Sequence, residues 1–396
     1  MRKLFLIALT VTLLPTSAVA APKAVPVKPL EIVASGISAE GLLAAGKNLV
    51  TYVNTGSINS NVVVTGLDAT GIQQWVTTID SGVDEIVTAA TVDAAGTIWL
   101  AGSSALVAPS DTQTAVVAAE NPDGVVAEAL PQIRPDMNQI TIWKLTPLGE
   151  IVGTYSLIQN SPALVSALSV NSSGISLVGS LAGRSFLLSA DSAGIFSKPI
   201  FIGTSKTTLN AVVRSPDGTI NLFGESSETI GGKKLAGTRD GILVKISKAG
   251  AIANVVRSSG VKAQRSWLAA DSTLALTGYV KVGKVTETAF TKFNSSFAPT
   301  WTIRFPSTGS STVLSAAGTT YGALSSNSAV KGISGWKPTS PTLLLTTFTS
   351  KGVLSGAYSA NELSAPLSLV YSRDLGLYGL ARGSGESVSI FRLGTR

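Results

Sequence analysis

Asp84 and Glu85 form the one adjacent acidic pair in the 396-residue chain, and paired carboxylates are the acid/base arrangement this composition leaves open. Neighbours on a strand point to opposite faces, so the two would not converge on one substrate. They read instead as a solvated loop leading into a strand, since charged side chains are mostly exposed. A Ser/Lys nucleophile system is available in principle, but no motif supports it. Other chemistries are removed outright. With no cysteine and no histidine, thiolate or imidazole zinc sites, Ser-His-Asp and Cys-His nucleophiles, histidine-held haem and disulfides are impossible. No Asp-x-Asp-x-Asp-Gly calcium loop occurs. The composition favours no enzyme and implies no cofactor.

Other acidic residues recur at spacings that make turns. A short polar residue stands three before a glycine at Asp68/Gly71, Asp93/Gly96, Thr146/Gly149, Asn171/Gly174, Asp191/Gly194, Ser215/Gly218, Ser247/Gly250, Ser315/Gly318 and Thr349/Gly352. Such a residue caps its own backbone at the start of a type I turn, and the glycine takes the left-handed position that joins two antiparallel strands. Asn294/Phe297 and Asp271/Leu274 keep the spacing without the glycine. These carboxylates are read as turn-formers rather than metal ligands.

The turns punctuate a faint internal repeat. Ala90–Gly102, Leu168–Gly179 and Val212–Gly224 share a strand, a tight turn, a second strand and a closing glycine, with weaker copies ending at Gly278 and Gly379. A second hairpin follows each, with turns at 71, 149, 194, 250, 297 and 352. Apart from one long gap the interval is 45 to 56 residues, room for four short strands. Segments such as Ile242–Ile246 and Thr141–Leu145 are short and β-branched or aromatic, and helical patterns are absent after residue 20. The fold class is therefore all-β, a single β-propeller. The last copy, Ser387–Arg396, stops after a third strand, and Leu30–Ile37 is available as its fourth. Closure by strands from both termini removes exposed edges and predicts seven four-stranded blades. Six or eight would follow if a degenerate unit has been split or merged.

The stretch Gly237-Thr-Arg-Asp-Gly-Ile-Leu-Val-Lys-Ile-Ser-Lys-Ala-Gly250 resembles the repeat of bacterial secreted β-propeller proteins. In that repeat Gly-x-x-Asp-x-hydrophobic-x-x-Lys leads into a turn and a Trp-bearing strand. Trp75 and Trp301, four residues past their turns, match the last feature, while other copies lose the Asp and the Lys. The resemblance spans most of 30–396. It implies architecture and an extracytoplasmic setting, and no single activity. Sialidase-like propellers carry Ser-x-Asp-x-Gly-x-Thr-Trp, and Thr91–Trp99 has one residue too many.

At the N-terminus, Met1-Arg-Lys3, the apolar run Leu4–Leu14 and the small residues Ala18 and Ala20 predict a signal peptide over 1–20, cleaved after Ala20. Residues 21–28 read as a linker and 29–396 as the propeller. No later stretch is long and apolar enough for a membrane helix. Without Arg2 and Lys3 the formal net charge falls from +7 to +5, and the cations are scattered rather than striped, so no nucleic-acid partner is expected.

The most distinctive segment is an insertion over 106–139, rich in proline and charge. Loops of this length are usually functional or disordered. Blade geometry puts it on one face with Ser226–Asp240 and Ser325–Pro341. That face is the expected partner surface, with Arg134, Asp136, Lys233, Lys234, Arg239 and Trp336 at its rim. The overall expectation is a secreted or cell-envelope-associated monomer, a non-catalytic binding scaffold for a protein or glycan ligand. The alternative is an extracellular carbohydrate-active or lactonase-like propeller enzyme using carboxylates.

Overall fold

The structure is a computed structural model and describes residues 24–56, 59–106, 136–383 and 387–394. Ala18, Ala20, Arg134 and the greater part of the 106–139 insertion lie outside these residues.

Two short N-terminal strands, β1 (Val25–Pro29) and β2 (Glu31–Ile37), precede the first four-stranded sheet: β3 (Gly41–Ala45), β4 (Asn48–Thr55), β5 (Asn61–Leu67) and β6 (Gln73–Ile79). The second comprises β7 (Glu85–Val92), β8 (Ile98–Ser104), β9 (Gln139–Leu145) and β10 (Ile151–Ile158). The third holds β11 (Ala163–Asn171), β12 (Gly174–Leu181), β13 (Arg184–Ala190) and β14 (Ile200–Phe201). The fourth is built from β15 (Thr207–Arg214), β16 (Ile220–Ser226), β17 (Asp240–Ile246) and β18 (Ile252–Ser258). The fifth runs through β19 (Ala263–Ala270), β20 (Ala275–Val282), β21 (Val285–Phe293) and β22 (Pro299–Pro306). Next come β23 (Ser311–Ala316), β24 (Thr319–Ser326), β25 (Ile333–Ser334), β26 (Thr342–Phe348) and β27 (Leu354–Ser359). Last are β28 (Ala365–Ser372), β29 (Gly376–Arg382) and β30 (Val388–Arg392). Apart from β1 and β25, the strands of each sheet pair antiparallel; its first strand packs on the first strands of its neighbours, and β28 returns to β3 to close the ring. The chain is an all-β propeller.

The expectation of seven four-stranded blades is corrected: six sheets have four strands, and the sheet begun by β23 has six, in the order β23-β24-β26-β27-β1-β25. The cause is the N-terminal segment, which serves two sheets. β2 pairs antiparallel with β30. β1, from the stretch read as linker, pairs in parallel with the outer edge of β27 and with β25. Val25 and Val27 thereby cover a core of Val330, Ile333, Trp336, Leu344 and Phe348. The segment removes an open edge that would otherwise present unpaired backbone groups.

The hairpin turns follow the polar-to-glycine spacing. At Asp68, Asp93, Thr146, Asp191, Ser215, Ser247 and Thr349 the carbonyl accepts from the glycine N–H three residues on, at 2.9–3.1 Å. Those glycines have φ of 79–85°. Two places differ. Asn171 and Gly174 pair directly across a two-residue hairpin. Ala317 and Gly318 are both left-handed (φ 49° and 77°), as a type I′ turn requires. Conversely, Leu274 and Phe297 adopt the glycine geometry, with φ of 62° and 64°. Both contribute to the core around Phe223, Trp267 and Phe293.

The closing glycines of the repeat have another origin. Between first and second strands the register slips by one residue at Thr88, Ser166, Asn210 and Leu268. Each bulge presses a first-strand carbonyl onto the second strand, where a Cβ on Gly102, Gly179, Gly224 or Gly278 would overlap it. The bulged polar side chains tie neighbouring sheets together. Thr88 Oγ1 donates to Val165 O (2.7 Å) and Asn210 Nδ2 to Trp267 O (2.9 Å). The tryptophans past the turns also have a packing reason. Trp75 and Trp301 lie over Gly149 and Gly352 of the following sheets, where no Cβ fits.

Candidate functional site

All connections from one sheet to the next leave from the same face as the loops between second and third strands, and this face carries the long loops. Its best-defined loop, 227–239, joins β16 to β17. Asp240, the acidic residue of the Gly237-x-x-Asp motif, is fully buried at its base. Its Oδ1 accepts from Gly237 N (2.8 Å) and Ser259 Oγ, and its Oδ2 from Ala236 N (3.0 Å) and Arg257 Nε (2.8 Å). Burial raises the Asp240 pKa, but these four donors outweigh it and hold the carboxyl below the usual range. Arg257 extends the anchor by donating to Ser226 O (3.0 Å), Glu228 O (2.7 Å) and Lys233 O (3.2 Å). Glu228 performs a similar task at the loop's start, accepting from Thr204 N (2.6 Å) and Thr207 Oγ1 (2.7 Å).

Lys233 and Lys234 stand exposed on this anchored loop, where Lys233 closes a tight turn with Ile230. Arg239 leaves its end at 47% side-chain exposure and pairs with Glu225 Oε1 (2.7 Å). Tyr279 Oη donates to Glu225 Oε2 (3.1 Å), linking the fifth sheet to the fourth. Burial and the Glu225 charge raise the Tyr279 pKa. Beside this triad opens a cleft of about 440 Å³ lined by Gln264, Leu268, Tyr279, Lys281, Thr286 and Thr308, among others.

The other expected rim residues lie elsewhere on the ring. Trp336 is 6% exposed, a correction to its place at the rim: it sits in the core under β1, with Nε1 donating to Ser328 O (2.9 Å). Asp136, half-buried, stands at the end of the insertion beside the second sheet, its carbonyl accepting from Asn138 N (2.8 Å). Lys233, Lys234 and Arg239 thus share one loop, while Asp136 and Trp336 belong to other sheets.

The acidic pair also departs from expectation. Asp84 and Glu85 are 0% and 1% exposed, not solvated. Ser60 N donates to Asp84 Oδ1, and Ser81 donates to Glu85 Oε1 through its N (2.9 Å) and its hydroxyl. Burial, aided by the charges of Asp80 and Asp84, raises the Glu85 pKa despite the Ser81 bonds. The physical reason is position. The pair opens the first strand of a sheet, inside the ring, where backbone and hydroxyl donors from the preceding loops converge.

Sequence reasoning missed the cleft residues. Gln264, Tyr279, Lys281 and Thr286 are scattered over three strands with no shared motif. The one available signal was the cation run Lys281–Lys284 at a hairpin tip. Two larger hollows lie elsewhere among the described residues. One, about 590 Å³ and mainly apolar, lies between β7 and β11 beside Ile86, Met137 and Leu164. The other, about 550 Å³, opens on the axis at the opposite face, among the ends of the first strands. Among the described residues no three Asp, Glu, His or Cys side chains gather as a metal site, and no helix is long and apolar enough to cross a membrane.

No family model matches the chain, and no curated protein matches it. Solved structures do match in fold. The WD40 domain of Toxoplasma gondii coronin superposes with a TM-score of 0.52 at 11% identity, covering 94% of this chain and 90% of that one. A putative 6-phosphogluconolactonase from Bacteroides fragilis reaches 0.47 at 11% identity, covering 86% of this chain and 89% of that one. A Bacteroides caccae protein of unknown function gives 0.39 at 10% identity over 80% of this chain and 94% of that one. At 11% identity the likeness to the coronin domain is one of fold alone.

Proposed function

We propose that this chain is an exported, monomeric, non-catalytic binding module that takes a protein or glycan ligand on its loop-bearing face. The observation that carries this reading is how the acids at the base of that face's loops are used. Asp240 and Glu228 spend their oxygens on backbone, hydroxyl and guanidinium donors that hold loops in place, and Glu85 gives its Oε1 to Ser81. A propeller hydrolase needs carboxylates aimed at a substrate in a shared pocket. Here the loop-face cleft is lined by amide, ammonium, hydroxyl and phenol groups, a set suited to recognition. Charges distributed around a loop-built rim steer a partner more than they bind it.

The test is thermal unfolding of the protein from residue 21 onward against calcium, a quinone cofactor, a panel of cell-envelope and plant glycans, and candidate surface proteins. A ligand that binds only the folded state raises Tm by mass action. The expected result is a rise with a glycan or protein, diminished by Arg239→Glu, and no turnover of any glycan that binds. Turnover of a bound glycan or lactone, abolished by replacing one carboxylate, overturns the reading in favour of an enzyme.

A further inference from the structure

The fifth sheet concentrates the positive charge of the molecule. Between residues 259 and 310 the sequence has six cations (Lys262, Arg265, Lys281, Lys284, Lys292, Arg304) and two acids (Asp271, Glu287), a formal +4 within a chain of +7. The topology sorts them. β19 starts at the loop-bearing face, β20 and β21 meet there and β22 ends there, so all the cations but Lys292 gather at that end. Asp271 goes to the opposite face with its hairpin turn. Glu287, 3.8 Å from Arg304, is the one acid of this sheet at the cationic end. Arg265 is 8% exposed, stacked at 4.3 Å from the centre of the Trp267 ring, with no carboxylate bound to it among the described residues. Burial and the like charge of Arg304 lower its pKa to about 10. A cation held in that setting keeps a positive field that counter-ions cannot fully screen.

The cleft opens in the same place. Its walls bring an amide (Gln264), an ammonium (Lys281), hydroxyls (Thr286, Thr308, Ser310) and the flank of a phenol (Tyr279) around about 440 Å³, within the roughly 300–1,000 Å³ of small-ligand clefts. Tyr279 is fixed by its bond to Glu225, which Arg239 holds from the other side. An aromatic flank with amides and hydroxyls at its edges matches sugar rings, whose C–H faces are apolar and whose rims carry hydroxyls. The cationic surround calls for carboxylates on those sugars. An acidic peptide would also want an apolar anchor, and Leu268 is the single aliphatic side chain lining the cleft.

We propose that the cleft between Gln264, Tyr279, Lys281 and Thr308 binds an acidic oligosaccharide of the uronate type. This rests on the reading of the loop-bearing face as a ligand surface. Isothermal titration of the full mature chain with galacturonate trisaccharide, neutral galactose trisaccharide and a Glu-rich peptide tests it. Lys281→Glu and Gln264→Ala probe the cleft, and a Lys233→Glu/Lys234→Glu double variant probes the neighbouring loop. All these positions are exposed, and circular dichroism checks that each variant folds. The expected result is binding of the galacturonate probe alone, weakened about tenfold or more by Lys281→Glu. It should weaken as ionic strength rises and be little changed by the Lys233/Lys234 pair. Loss with the Lys233/Lys234 pair and not with Lys281→Glu overturns the cleft while the loop-face reading stands. Binding of the peptide in place of the sugar overturns the glycan and leaves that reading intact. Absence of galacturonate binding overturns the proposal. Only if no glycan or protein binds in any format does the loop-face reading fail with it.

Discussion

Asp240 shows how a residue that resembles a catalytic acid is used structurally. Its carboxylate and Arg257 are both buried, so removing one partner strands the other's charge. Asp240→Asn is expected to cost about 3–5 kcal/mol in equilibrium unfolding. Because its pKa is lowered in the folded state, its stabilising contribution is complete above the ordinary value of 3.8. That contribution is lost as pH falls through the lower folded value. The wild-type protein should therefore lose stability in acid more steeply than Asp240→Asn; parallel pH profiles would sink the assignment. Glu85 has the opposite sign, its folded pKa being raised. Ionisation costs nothing extra below about 4.5, and the penalty is complete above the raised value. Glu85→Gln should thus gain stability relative to wild type as pH climbs from acid to neutral, read from urea midpoints at each pH. At Phe297 two effects compete. A left-handed backbone costs roughly 1–2 kcal/mol, which Phe297→Gly would relieve. Losing a buried phenylalanine costs about 3–5 kcal/mol, so the glycine variant is expected to be less stable.

At the scale of elements, the bulges between first and second strands govern both local shape and packing between sheets. Gly224 lies under the carbonyl of Thr208, so Gly224→Ala requires the first strand to move. The expected loss exceeds the 1–3 kcal/mol typical of overpacking, because the obstructing atom is backbone. Chemical denaturation would measure it, and a neutral result would mean the bulge is soft. β1 behaves as a clasp. Removing residues 24–29 unpairs the outer edge of β27 and opens the core around Trp336. That variant should unfold at lower temperature with a red-shifted tryptophan emission, whereas a simple linker would be removed without effect.

At the scale of the whole molecule, the ring sorts the chain's chemistry by face: tight hairpins at one end, anchored loops and most of the fifth sheet's cations at the other. The propeller architecture was legible early, because turn spacing, strand length and the closing glycines are local properties that each hairpin repeats. Closure through β2 was legible too, from a final unit one strand short. Composition and spacing alone were enough to exclude zinc–thiolate and imidazole chemistry and to place most of the hairpin turns. Tertiary structure decided the rest. It sent β1 to the edge of a sheet begun nearly three hundred residues later, giving six four-stranded blades and one wider sheet. It buried Asp84, Glu85 and Trp336, all charged, polar-edged or loop-borne and so expected outside. It drew Gln264, Tyr279 and Lys281 to one cleft and set Glu225 and Arg239 of the neighbouring sheet beside it. Spacing along a chain records bonds made within a hairpin; contacts between sheets leave no period, because each is made once by residues whose separation is set by the ring.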